Sequence, residues 1–117
     1  MRFLATTLAM VLATSGALAA DPNGRFYMLG AGAVSCKQYT DATDEQKVPA
    51  HTWMVGYISA VNRLTSDTWH IAGETKPEVV FGMIAKHCMD NPETALGIAT
   101  QKVLDQLQPK RTRKSPT

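Results

Sequence analysis

The apolar positions of this chain form one continuous run and then three separate helical stripes. Phe3 to Leu18 is almost unbroken apolar sequence behind a positive start at Met1-Arg2. After it the pattern loosens: Asp21 to Ala33 is rich in Gly, Asn and Pro, with Phe26, Tyr27, Met28 and Leu29 as its only anchors. Ser35 with Gln38 three residues on has capping-box spacing and predicts a short helix over Cys36 to Thr43, followed by a polar linker up to Lys47. Pro49 suits the first turn of a second helix, in which Trp53, Tyr57, Val61 and Leu64 recur at spacings of four, four and three. Thr65 to Glu74 is a polar connection. Thr75-Lys76-Pro77-Glu78 then repeats the start logic, with threonine as the expected cap of a third helix. That helix is expected to bury Val79, Val80, Met83, Ile84, His87 and Cys88. Asn91-Pro92 should stop it and start a fourth helix at once, with Leu96, Ala99, Val103 and Leu107 as its stripe and an end at Pro109. No stretch alternates with period two, so the pattern predicts an all-α bundle of about four helices.

The first run changes the picture most. It is too short for a comfortable membrane span, has no basic stop-transfer flank, and ends in Ala17-Leu18-Ala19, the small residues a signal peptidase reads. Residues 1–19 are therefore read as a cleaved export signal, 20–33 as an irregular arm, 34–108 as one helical domain and 109–117 as a basic disordered tail. No lipobox cysteine follows the apolar run. Export places the mature chain, periplasmic or secreted, in an oxidising compartment. There the two cysteines, Cys36 and Cys88, are expected to pair as one disulfide. A core this small gains much from such a tie.

Charge is nearly balanced but unevenly placed. Residues 20–109 carry 7 Lys/Arg against 10 Asp/Glu, and Lys110-Arg111-Thr112-Arg113-Lys114 then adds four positive charges. Such a tail can touch an acidic partner or anionic lipid, but it is read here as a solvated end. The folded part shows no basic face, so no nucleic acid is expected as a partner.

Little in the chain announces chemistry. His87 and Cys88 are neighbours on a helix and point about 100° apart, so they cannot act as base and nucleophile. His51, His70 and His87 include no i,i+4 pair, and no C-x-x-C is present, so neither a metal site nor a redox pair has the right spacing. No catalytic residue and no cofactor is expected. Gly56, with Ser59 and Ala60 beside it, reads as a patch for close approach of a neighbouring element. Asn62 can cap or bond a loop. Trp53 leads the apolar stripe and reads as core. Trp69, next to His70 in a polar loop, can be a lid over the core or an anchor for a partner.

The order of these residues has a family likeness. Ser35-Cys36-Lys37-Gln38-Tyr39, then Trp53 with Gly56-Tyr57-Ile58-Ser59-Ala60-Val61-Asn62, then His87-Cys88 with Asn91-Pro92 resembles a group of small exported bacterial helical proteins. That group holds the HdeA-type acid-stress chaperones and the type VI secretion amidase-immunity proteins of the Rap/Tai kind. The resemblance spans roughly residues 34–107. It departs from the chaperones in lacking long acidic and lysine-rich stretches, and His87 stands where a tyrosine is more usual. It implies a Cys36–Cys88 disulfide inside a helical bundle. It also implies a non-enzymatic protein whose partners are other proteins. These would be unfolded clients of an acid-opened chaperone or, as the alternative, one cognate cell-wall amidase or other secreted effector. Acid adds to the first: with carboxylates neutral, 11 Lys/Arg, three His and the amino terminus bring the mature chain near +15, and self-repulsion at that charge can loosen a bundle.

Overall fold

The structure, a computed structural model, describes residues 20–23 and 25–117. The expected export signal lies outside the described residues. Four α-helices form the described chain: α1 (Cys36–Asp41), α2 (Val48–Leu64), α3 (Pro77–Asp90) and α4 (Leu96–Leu107). Short 3-10 turns at Gly30–Ala33 and Gln108–Lys110 precede α1 and follow α4. Among the described residues there is no strand, only isolated bridges between Ser35 and Ala95 and between His70 and Thr112.

Local chemistry sets each boundary. The Ser35 hydroxyl accepts from the Gln38 amide at 3.1 Å while the Gln38 side chain accepts from the Ser35 amide at 3.0 Å, the reciprocal cap expected for α1. The helix stops at Asp41 rather than Thr43. Thr43 instead exchanges the same pair of bonds with Gln46 and so begins the next turn. Thr75 does not cap α3. A residue before proline is pushed to extended backbone, and Lys76 sits at φ −66°, ψ 147°, so the helix opens at Pro77 itself with Lys76 as its cap position. The fourth helix does not start at Pro92 but at Leu96. The carbonyls of Pro92 and Thr94 are used elsewhere, accepting from Lys37 N–H at 2.9 Å and Cys36 N–H at 2.8 Å. These are first-turn amides of α1, which have no partner within their own helix.

The core gathers Cys36 and Tyr39 of α1, Ala50, Met54 and Ile58 of α2, Val80, Ile84 and Cys88 of α3, and Leu96, Ala99, Val103, Leu104 and Leu107 of α4, closed by Ile71 and Ala72 of the connection. The stripe of α4 is the expected one. In α2 the buried line is Ala50, Met54 and Ile58. Trp53, Tyr57 and Val61 are half-buried beside it, and Leu64 is 78% exposed. In α3, Val79 points outward, 53% exposed.

Cys36 and Cys88 are joined, fully buried, with Cα atoms 4.7 Å apart. The bridge ties α1 to the end of α3. The corner hydrogen bonds, together with Leu96 N–H to Val34 carbonyl at 2.8 Å, hold the start of α4 in the same knot.

Candidate functional site

Trp53 and Tyr57 supply two of the attachments of α2, which carries no disulfide. Trp53 and Tyr57, one turn apart, stack with ring centroids 5.0 Å apart. The Trp53 indole N–H donates to the Leu29 carbonyl at 2.8 Å. Two glycines make room for its ring. A Cβ on Gly32 would fall inside contact with the benzo ring, and one on Gly97 would meet both Met28 and the Trp53 ring edge. Trp53 is thus half-buried under the N-terminal arm rather than leading the core. Of the arm's four expected anchors only Met28 turns inward, while Phe26, Tyr27 and Leu29 stay exposed. Tyr57 reaches α4, donating to Gln101 at 2.6 Å, and Gln101 in turn donates to Asp105 at 2.7 Å. Burial raises the Tyr57 phenol above its ordinary pKa, with Asp105 adding to it.

Gly56 does not serve close packing. It is exposed, and nothing lies within 4 Å of the Cβ it lacks. Ser59 and Ala60 are exposed as well, and with Val55 they leave one side of α2 open. Between that side and α3 lies a groove of about 150 Å3, lined by Val55, Ile58, Ala72, Pro77 and Val80 together with Asn62 and His70. Its walls are largely apolar.

Asn62 and His70, singled out separately in the sequence, meet here. The Asn62 carbonyl oxygen accepts from the buried Ile71 N–H at 2.8 Å, and its amide nitrogen lies 3.4 Å from His70 Nδ1. Trp69 is 52% exposed, so it does not lie as a lid over the core. Its backbone instead helps hold the tail. Trp69 and His70 N–H both donate to the Thr112 carbonyl, and Thr112 N–H returns a bond to His70. Arg111 and Arg113 pair with Asp67, and the Arg111 Nε–H also donates to the Asp67 carbonyl at 3.2 Å. Gly73 has φ +59° and has no space for a side chain, because the Lys110 carbonyl lies against it. The residues expected as a disordered tail therefore run as a strap over the α2–α3 connection as far as Arg113.

A third contact group had no signal in the sequence. His51 of α2 lies flat on Phe81 of α3, with centroids 4.3 Å apart and planes within 1°, and its Nε2 is 3.0 Å from the Tyr39 hydroxyl of α1. Residues so far apart in sequence share no spacing that would pair them. Gly32 and Gly97 were missed for a related reason: only the ring that faces them gives them meaning.

At the remaining predicted positions, Asn91 caps α3 by donating to the His87 carbonyl at 2.9 Å, Pro92 lends its carbonyl to α1, and His87 is half-buried on the surface of α3. Cys88 is in the disulfide and cannot be a nucleophile. Among the described residues no three His, Cys, Asp or Glu side chains stand together as metal ligands. No described helix is long and apolar enough to cross a membrane.

The core side chains are shut inside a bundle that one buried bridge and a few polar joints hold closed. Comparison with curated proteins and with solved structures finds no match. Comparison with family models matches the HdeA/HdeB family over residues 3–97. The chain therefore belongs to the HdeA/HdeB family, the acid-stress chaperones of the periplasm.

Proposed function

We propose that this protein binds unfolding proteins in an acidified periplasm, and that it does so by letting α2 come away from the rest of the bundle. The observation that carries this reading is the uneven distribution of ties. The disulfide joins α1 to α3 and backbone hydrogen bonds at the corner join the start of α4 to α1, whereas α2 is held to the other elements by packing and by hydrogen bonds of its side chains. One of those attachments runs from Tyr57 through Gln101 to the carboxylate of Asp105.

The same acid brings the mature chain near +15, from 11 Lys/Arg, three His and the amino terminus. At that charge, repulsion favours an expanded state with helices kept and packing lost. Movement of α2 would widen the apolar groove beside Val55 and Val80 and uncover Met54 and Ile58. The bridge would keep α1 and α3 together, so the opened state stays a folded-back platform rather than a random chain.

A client-protection assay tests this. An acid-sensitive enzyme is taken to about pH 2 with and without the oxidised protein, and light scattering is followed there and after neutralisation. Suppressed scattering at low pH with none of the effect at pH 7 is the expected result. Equal scattering with and without the protein at every pH would overturn the reading and turn the search to one tight partner at neutral pH, such as a cell-wall amidase.

A further inference from the structure

His51 is the point at which three helices meet through one imidazole. From α1 it meets the Tyr39 phenol, itself only 4% exposed, and from α3 the uncharged Phe81 ring. From the turn before α2 come two charges of opposite sign, Lys47 and Asp44. The Lys47 ammonium also stands 5.4 Å from the centre of the Tyr39 ring. A neutral imidazole suits this place. With its proton on Nδ1 it presents Nε2 as acceptor to the Tyr39 O–H. A second proton makes Nε2 a donor, so the Tyr39 oxygen must accept and its own O–H must find another partner in a buried corner. It also sets a cation beside Lys47.

We propose that His51 is a proton-sensitive joint of the bundle, whose protonation loosens α2 from the disulfide-tied pair of α1 and α3. Opening then begins in mildly acidic conditions. Burial lowers the His51 pKa below its ordinary 6.5, Lys47 lowers it further, and Asp44 opposes them. The unfolded chain therefore takes up this proton first. The stability contributed by the neutral ring is complete above about pH 6.5 and is lost as pH falls from there through the folded value. Only the biological use of the joint rests on the chaperone reading; the joint itself is a property of the fold.

Two measurements on the oxidised protein test it. The first is an NMR titration of the His51 ring between about pH 8 and 4. The expected result is a midpoint below 6.5, with amides of Tyr39 and Phe81 shifting at the same midpoint. The second compares urea midpoints at about pH 7 and 5 for wild type, His51→Phe and His51→Gln. Wild type should lose midpoint between the two pH values, and both variants should lose markedly less. A ring that titrates at or above 6.5, or variants whose midpoints fall as much as wild type, would overturn the proposal. If neither variant folds, the ring titration on the wild-type protein decides alone. Client protection reads separately: a lowered ring midpoint without protection at any pH would leave the joint standing and remove the chaperone reading.

Discussion

Removing the Cys36–Cys88 bridge is the perturbation whose size follows most directly from the chain. The cysteines are 52 positions apart, so the bridge closes a loop of about 53 residues. In the chain-entropy account, losing that closure frees about 14 cal/mol/K in the unfolded state, or about 4 kcal/mol at 25 °C. Native-state terms add to this. Both sulfurs are fully buried, and a Cys36→Ala/Cys88→Ala pair leaves a small void where they met, worth about 1 kcal/mol or more. A domain of this size has roughly 5–15 kcal/mol in total. The double variant should therefore be marginal at pH 7 and unfolded well above the acid range in which the oxidised protein still keeps its helices. Urea unfolding followed by far-UV circular dichroism measures it, with the oxidised protein as reference. A stability loss below about 1 kcal/mol, or equal helix content of the two proteins at about pH 3, would refute the reasoning. The bridge would then be an ornament of a fold held elsewhere.

Other substitutions address the remaining joints. Gly32→Ala places a methyl inside the Trp53 ring and should cost about 1–3 kcal/mol as overpacking, with a changed near-UV tryptophan signal; an unchanged urea midpoint would contradict the clasp. Asn62→Ala removes the acceptor of the Ile71 N–H, 2% exposed at that residue, and should cost about 1–3 kcal/mol for the stranded donor, read in the same unfolding experiment. Deleting residues 111–117 removes the strap. Because the Arg113–Asp67 pair is exposed on both sides and the longer Arg111–Asp67 pair has an exposed carboxylate, global stability should change by about 1 kcal/mol or less, while hydrogen exchange at Trp69 and His70 should quicken sharply. Undiminished protection there would mean the strap does not hold the connection.

Much of the fold was legible from local signals. The Ser35–Gln38 cap, Pro49 and Pro77 in first turns and the α4 stripe each act within a few residues, and they place four helices correctly in order. The bridge was legible because two cysteines in a chain expected to be exported leave one pairing.

What failed had non-local causes. In α2, Ala50-Met54-Ile58 and Trp53-Tyr57-Val61 are both helical stripes, and the larger aromatic side chains suggested the second as the centre of the buried face, whereas it packs against the core at half burial and the first is the buried line. Only the arm, 24 residues before Trp53 in sequence, explains why those rings face sideways. Gly56 looked like a packing glycine because it lies inside a helix, whereas Gly32 and Gly97, opposite a ring contributed by another element, are the ones that need to be glycine. The corner at Asn91-Pro92 was read as a helix start because its carbonyls' use by α1 is invisible along the chain. The basic tail looked solvated since Asp67, its partner, stands 44 residues before Arg111.

The central claim is that acid opens this bundle without cutting it apart, and one titration tests it most directly. The oxidised protein from Ala20 to Thr117 is followed from about pH 7 to pH 2 by near-UV and far-UV circular dichroism together with a hydrophobic dye. The account predicts loss of the near-UV signal, retention of most helix and a rise in dye binding, all reversed on neutralisation. A near-UV spectrum unchanged to pH 2 with no dye bound would contradict it.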